Sequence, residues 1–387
     1  MASKVEFLLT AVAFIMVILM PTSQLIIGQI NSLGHWNTTQ TMEKETELLV
    51  SGILNSPGDP PNWGFTRLTN FPNKFGLAEE TSELLVLDSN KVARLDIRNP
   101  YYLPYDSSDQ NGLLITSTQG TLKNILNLED TDIRISILPA FNLTLKEDRN
   151  NIVLRVTDWS NTPLAQVNIS ILAINEQNIK VLERHLLTNE VGEVILPLED
   201  LEGKGNTIFL FAIAKLNDGI FSYNYMYVTF TPQTFDDDML RVSMLESSDS
   251  GCLNVTIYVN DVNNPIWLNA TLFYMSRSGN FVFSILDNPS FTAEPSGWRR
   301  CSWDEILVPS DLPVFLVVNV LGSDGTTRGT GFYSLPSLIG FYSNRENVTK
   351  DPLPYGEMKE NAKSIIVINR FVVVRKNLFL VVIKCYY

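Results

Sequence analysis

Ile152-Val-Leu-Arg-Val156, Val167-Asn-Ile-Ser-Ile171, Val194-Ile-Leu196, Ile208-Phe-Leu-Phe-Ala-Ile213 and the run from Tyr223 to Phe230 decide the fold class of this chain. Each is a short apolar or alternating run rich in β-branched and aromatic residues, and turn-forming residues separate each from the next. Thr157-Asp158 and Pro163 bracket one turn, and Asn189-Glu-Val-Gly192 places a glycine where a tight turn calls for positive φ. Strands at this spacing predict a β-sandwich over residues 148–232.

Downstream the pattern repeats. Leu253 to Val259, Trp267 to Tyr274, Phe281 to Leu286, Val314 to Val320 and Gly331 to Ser334 read as five more strands, with Thr234-Phe-Asp-Asp-Asp238 as the linker. Ser364 to Ile368, Phe371 to Val374 and Leu378 to Tyr387 are apolar, but Arg370, Arg375, Lys376 and Lys384 interrupt them, so they read as strands of a hairpin and not as a membrane span. The second β-rich domain is therefore expected over 239–387, hairpin included.

Upstream, residues 31–147 read as a small mixed α/β neck. Leu48, Leu49, Gly52 and Ile53 fall at helical spacing within Met42 to Leu54, and Ser56-Pro-Gly-Asp-Pro-Pro-Asn-Trp63 stops that helix by removing donors. Leu87 to Leu95 has a Ser/Asp start and suits a short helix, as does Thr121 to Leu126. Asp132-Ile-Arg-Ile-Ser-Ile137 alternates and opens the strand pattern.

At the start of the chain Glu6 precedes an unbroken apolar run from Phe7 to Met20, and apolar residues resume after Pro21. Phe7 to Met20 fits the core of a signal peptide, about 7–15 residues, whereas Val5 to Ile30 fits a spanning helix of about 20. No small-residue cleavage site follows Met20, which favours a retained transmembrane helix over residues 1–30, with membrane lipid as its partner.

The formal net charge of −13 excludes a general nucleic-acid binder, because neutralising phosphates needs a basic face. Six Asn-x-Ser/Thr sequons, at Asn37, Asn142, Asn168, Asn254, Asn269 and Asn347, all follow the apolar segment and are candidate glycosylation sites of an ectodomain. Cys252 and Cys301 flank a strand-rich stretch and form the candidate disulfide; the alternative is that they, with Cys385, are small buried hydrophobes.

Catalytic equipment is sparse. The two histidines, His35 and His185, have no neighbours that sequence identifies as a triad, and no phosphate-binding loop or zinc spacing is present, so neither a catalytic residue nor a metal or cofactor is expected. Asp236-Asp-Asp238 reads as a solvated linker before a calcium site, and Asp304 and Glu305 as ordinary acids before a glycosidase pair. Trp63 and Tyr101-Tyr102 read either as adhesive contacts or as plugs between short helices and a sheet, with the plug favoured, and Trp267, Trp298 and Trp303 likewise.

Ser3-Lys-Val-Glu-Phe-Leu-Leu followed by an apolar helix resembles the mature N-terminus of archaeal type IV pilin-like surface proteins with class III signal peptides. Gly58-Asp-Pro-Pro-Asn-Trp63, Phe75-Gly-Leu-Ala78, Leu87-Asp88 with Lys91 and Leu95, and Leu126-Asn-Leu128 running into Asp132 to Pro139 resemble a region of archaeal membrane-anchored surface proteins. Val156-Thr-Asp158, Pro163, Val167 and Thr188 to Val194 are similar to immunoglobulin-like surface modules. The resemblance implies a mainly β protein: an N-terminal transmembrane helix, the neck, then two immunoglobulin-like β-sandwiches. It implies a single-pass, membrane-anchored extracellular protein, structural or adhesive, partnered by itself or by other surface proteins. One alternative is a pilin-like filament subunit in which Glu6 offsets a neighbour's terminal amine. The other is a secreted hydrolase acting on glycans or peptides.

Overall fold

The computed structural model describes residues 36–64, 73–80, 84–95, 101–102, 114–115, 126, 132–217, 219–230, 240–247, 251–260, 266–286, 291–293, 298–322, 327–336, 355–356, 362 and 364–387. Among them no helix is long and apolar enough to cross a membrane. The expected span over 1–30 lies outside the described residues, as do His35, Asn347, the linker 234–238 and all of the helix expected from Thr121 except Leu126.

The neck begins with helix α1 (Trp36–Asn55), strand β1 (Val86–Leu87) and helix α2 (Ser89–Ala93). The short pair β2 (Tyr101–Tyr102) and β3 (Leu114–Ile115) follows, then β4 (Asp132–Pro139). Helix α1 ends where the sequence predicts, at the Ser56-Pro57-Gly58 break, and buries Val50, Ile53 and Leu54. Asp88 caps α2: its carboxylate accepts from the amides of Asn90 and Lys91 at 2.8 and 3.1 Å.

The first sandwich contains β5 (Asn142–Asp148), β6 (Asn151–Thr157), β7 (Asn168–Asn175), β8 (Lys180–Leu187), β9 (Glu193–Pro197), β10 (Thr207–Asn217) and β11 (Ile220–Thr229). Its sheets run β5-β6-β9 and β11-β10-β7-β8. The second contains β12 (Leu240–Glu246), β13 (Cys252–Val259), β14 (Ile266–Met275), β15 (Phe281–Leu286), β16 (Thr292–Ala293), β17 (Arg299–Leu307), β18 (Val314–Gly322) and β19 (Thr327–Leu335). Its sheets run β12-β13-β17-β16 and β15-β14-β18-β19. Setting the two-residue β16 aside, both modules place their first, second and fifth strands in one sheet and their seventh, sixth, third and fourth in the other. That shared order is immunoglobulin-like. Gly192, at φ +74°, makes the turn into β9; a Cβ there would come within 2.6 Å of the Val156 carbonyl oxygen, so the sequence-predicted glycine turn is required by space as well as by φ.

The sequence reading misplaces the tail. Strands β20 (Tyr355–Gly356), β21 (Ile365–Val374) and β22 (Asn377–Tyr386) belong to the neck, in a sheet ordered β1-β21-β22-β4-β20. The hairpin thus lies between β1 and β4 and does not extend the second sandwich. Arg370 does not break the strand either: β21 and β22 pair without a register shift from Ile365↔Tyr386 to Val374↔Asn377.

Three cores result. One fills the first sandwich and one the second. The third runs from Val50 and Trp63 through Ile135 and Phe379 to Phe211 and Phe315, so it joins the neck sheet to both sandwiches. Along β10, Ile208, Leu210 and Ala212 face the first sandwich's own core, while Phe209, Phe211 and Ile213 face the shared one. Strand β18 does the same with Val314, Leu316 and Val318 against Phe315 and Val317. A strand covered on both faces reads as a near-continuous apolar run, as residues 208–214 and 314–318 do in the sequence.

Candidate functional site

Two joints hold the modules, one lined by aromatic side chains and the other by charged and polar ones. At the seam between the sandwiches the corresponding sheets, β11-β10-β7-β8 and β15-β14-β18-β19, meet face to face. Phe211 packs against Phe315 and Phe273 with ring centroids 4.6 and 5.2 Å apart, Tyr223 against Phe315 at 4.9 Å, and Tyr225 against Phe332 at 4.3 Å. Such pairs add about 0.5–1.5 kcal/mol each beyond the area they bury. Polar contacts edge the seam: the Tyr223 hydroxyl donates to Ser334 Oγ at 2.7 Å, Asn319 Nδ2 to Asn178 Oδ1 at 2.8 Å, and the Phe281 amide to Glu183 Oε1 at 3.1 Å. Burial alone would raise the Glu183 carboxyl, but bonds from Lys180 and the Phe281 amide outweigh it and hold it below its ordinary value.

The second joint gathers the neck residues that carry the surface-protein resemblance. Gly58, Trp63, Phe75 to Ala78, Leu87, Asp88, Lys91 and Leu95 come together around α2. Trp63 is buried, with its indole N–H donating to the Gly76 carbonyl at 2.8 Å, so it is a plug and not an exposed contact. Lys91 is buried too, and its ammonium donates to the carbonyls of Ala78 and Pro57 at 2.6 and 2.9 Å. Burial lowers its pKa, and Asp88, Glu80 and Glu79 partly restore it. Gly64 makes room for this packing, since a Cβ there would lie 2.8 Å from the Lys91 amide nitrogen.

From this neck core, Ser89 and Asn90 reach the second sandwich. The Asn90 side-chain amide donates to the Glu246 carbonyl at 3.0 Å and accepts from the Glu246 amide at 2.7 Å. A side chain thereby imitates a β-bridge and closes the end of edge strand β12. The Glu246 carboxylate takes the Ser89 hydroxyl on one oxygen; on the other it meets Arg375 Nη1 at 2.9 Å, an ion contact without hydrogen-bond alignment. Arg375 also donates to the Pro309 carbonyl, and Asn377 Nδ2 to that of Asp311 at 3.0 Å. Burial pushes the Arg375 guanidinium down and Glu246 opposes the shift. Arg375 and Lys376 form the two-residue turn of the tail hairpin with φ of +49° and +61°, conformations that suit Asn-Gly and not a pair of long cations. The turn persists because Arg375 is held on the far side by Glu246 and Pro309.

Other sequence candidates stay apart. Cys252 and Cys301 are free thiols: on paired strands Cys252 lies opposite Leu307 and Cys301 opposite Ile257, out of bridging range, so the candidate disulfide is not made. Burial raises the Cys301 thiol to about 12 and Cys385 to about 11, so both behave as small hydrophobes. Of the sequons, Asn168 is exposed, Asn142 and Asn254 are half-buried, Asn269 turns its Nδ2 toward the Glu176 carbonyl at 3.5 Å, and Asn37 lies in α1. His185 contacts Ser170 Oγ at 2.9 Å and Glu183 at 3.7 Å at the surface of the first sandwich. Glu305 sits at φ +58° where β17 bulges, with its amide bonded to Asn254. Among the described residues no group of three acids, histidines or cysteines is placed to hold a metal ion. Glu246 and Arg375, the most interlocked charges of the joint, carry no sequence signal beyond an acid at a strand end and a cation in a turn.

No protein-family model matches the chain, and no curated protein sequence matches it. Several solved structures are similar in part. A tetra-tandem repeat from the extending region of a large adhesion protein is 16% identical, with 54% of this chain and 50% of that one covered at a TM-score of 0.19. The FN1–FN3 domains of chicken CNTN1 are 9% identical over 52% and 66% of the two chains at 0.17, and invasin, a bacterial integrin-binding protein, is 11% identical over 66% and 54% at 0.17. The likeness to the adhesion repeat spans half of that chain's length. Scores this low superpose no common arrangement, and the fold class rests on the strand order.

Proposed function

We propose that this is a membrane-anchored extracellular protein with a structural or adhesive role, in which residues Val5 to Ile30 hold the chain to the membrane and the two sandwiches are displayed outward. The observation that carries this reading is the joining of the modules. Both central sheets give their outer faces to the seam, and the converging charges of the neck, Asp88, Lys91, Glu246 and Arg375, bond to backbone groups and to one another. An enzyme of this size needs convergent polar groups that face a cleft. Here the convergent groups face protein, and what they do is join the neck to the second sandwich.

The test is protease shaving of intact cells that express the full chain, with mass spectrometry of both fractions. Peptides from 132–387 are expected in the shaved fraction, and the peptide containing Glu6 in the membrane fraction. A mature chain starting beyond Ile30 ends the anchor. Recovery of the intact protein as sheared filaments replaces this reading with the pilin-like one, and turnover of a glycan or peptide by the purified chain replaces it with the hydrolase.

A further inference from the structure

Among the described residues, one side of β21 is left unpaired over most of its length. Strand β1 pairs with β21 only at Val373 and Val374, and the Val373 amide donates to the Leu85 carbonyl at 2.9 Å. Backbone direction alternates along a strand, so Ile365, Val367, Asn369 and Phe371 point their N–H and C=O groups the same way, off the sheet, while the even-numbered residues bond to β22; of these outward groups the Asn369 carbonyl is taken by the Arg370 side chain. Among the described residues no strand occupies that edge. Three other edges carry the usual protection: β8 presents Lys180, Glu183 and Arg184, β5 ends in Lys146, Glu147 and Asp148, and Asn90 closes β12. The β21 edge has no proline and no bulge, and its one charge is Arg370.

Alongside the place where β1 leaves this edge lies a groove of about 210 Å³ between α1 and β21. Val50, Leu54, Leu84 and Leu85 give it apolar walls, and Glu47 and Arg370 stand at its rim. Leu84 is 81% exposed, Leu48 one turn before Ser51 is 69% exposed, and Ile365 and Val367 are 55% and 42% exposed on the other side of the edge. Arg370 donates to the Asn369 carbonyl at 2.9 Å and also to Glu47, which is itself half exposed. An ion pair this exposed is weak and exchangeable.

We propose that this groove is a strand acceptor: an extended apolar peptide carrying a carboxylate adds to the β21 edge in line with β1, with Arg370 receiving the carboxylate in place of Glu47. The open amides demand an extended partner, the groove takes one of its aliphatic side chains, and the rim cation selects the acid. The inference concerns the neck sheet alone and stands whether or not the chain is anchored at a cell surface.

The probe is a fluorescein-labelled heptapeptide of alternating threonine and valine ending in leucine and glutamate, added to the full chain. In the chain alone, amide hydrogen exchange at Ile365, Val367 and Phe371 is expected to be fast relative to Ile366 and Ile368; with peptide it slows. Val367→Pro removes an outward donor without touching the β22 ladder, so binding is lost while the melting temperature holds. Arg370→Gln weakens binding about tenfold. If Val367→Pro misfolds, the same peptide N-methylated at alternate amides asks the question of the unaltered chain, and it is expected not to bind. Slow exchange at the odd-numbered amides without peptide, equal binding of the N-methylated peptide, or no protection at saturating peptide overturns the proposal. Protection that rises with protein concentration alone also overturns it, by assigning the edge to a second copy.

Discussion

Between the two sandwiches lie Phe209, Phe211, Tyr223, Phe273, Phe315 and Phe332; between the neck and the second sandwich lie Asp88, Ser89, Asn90, Glu246 and Arg375. Both joints bury their side chains, yet they differ in what they tolerate. The seam is non-directional and draws on apolar area, so a lost ring leaves a cavity whose neighbours can partly close in. The neck joint is directional: each charge is acceptable there only because a named partner meets it, and removing one strands the other. The seam therefore supplies most of the attraction, and the neck joint fixes the register in which α2, β12 and the tail hairpin meet.

The largest effect is expected where the seam is densest. Phe211→Ala should cost about 4 kcal/mol in urea denaturation, because its ring touches Phe315, Phe273, Phe281 and Phe332 at once. It should also split one unfolding transition into two as the sandwiches uncouple. A loss under about 1 kcal/mol with a single transition would show that the seam does not join the modules.

Next comes the ion contact. Glu246→Leu leaves the Arg375 guanidinium buried without its counter-charge and should cost about 3 kcal/mol, whereas the double variant Glu246→Leu/Arg375→Met should recover much of that loss. Thermal unfolding of the single and double variants measures the coupling. Additive losses would mean the two charges do not act as a pair.

The same contrast explains how far the sequence could be read. The sandwich strands were legible because their runs are short, β-branched and punctuated by turn residues; β6, β7, β10, β14 and β18 all lie where the patterns put them. The outer strand β5 goes unread, since Lys146, Glu147 and Asp148 dilute the pattern just where a strand meets water, and Lys180, Glu183 and Arg184 leave β8 with no sign beyond a strand expected around His185. The apolar runs at 208–213 and 314–318 mark strands, but nothing in them says that both faces are covered, or by what. The neck glycines, Trp63, Asp88 and Lys91 could be picked out as a group. Their link to Glu246 and Arg375 could not, because it depends on β22 pairing with β4 from the opposite end of the chain, and a register between distant strands leaves no local trace.

A smaller effect, of opposite sign, is expected at the hairpin tip. Lys376→Gly places the residue that tolerates positive φ in the second turn position and leaves Arg375 on Glu246, so it should stabilise the chain by about 1 kcal/mol. Calorimetry reads this directly. A loss of stability instead would mean that the lysine side chain contributes to the neck joint.

The smallest effect concerns pH and distinguishes the joints without disturbing packing. Glu79 is exposed, yet partial desolvation, with Asp88 and Glu246 nearby, raises its carboxyl, and Lys91 only partly offsets this; burial raises Asp88 as well. A carboxyl whose folded pKa exceeds its unfolded value holds its proton more tightly in the folded chain. Its contribution is therefore present below the ordinary carboxylate range and is lost as pH rises through the raised value. Glu79→Gln cannot lose that contribution. Its melting temperature should match the parent's in acid and exceed it at neutral pH, with the two curves parting just above the ordinary carboxylate range. The seam offers a control, since Glu183 is shifted the other way: Glu183→Gln should melt below its parent at neutral pH, with the two curves converging as pH falls below that range. Coincident curves for Glu79→Gln and its parent across the whole range would mean that solvent screens the neck carboxylates, and that the neck joint is held by its hydrogen bonds rather than by its charges.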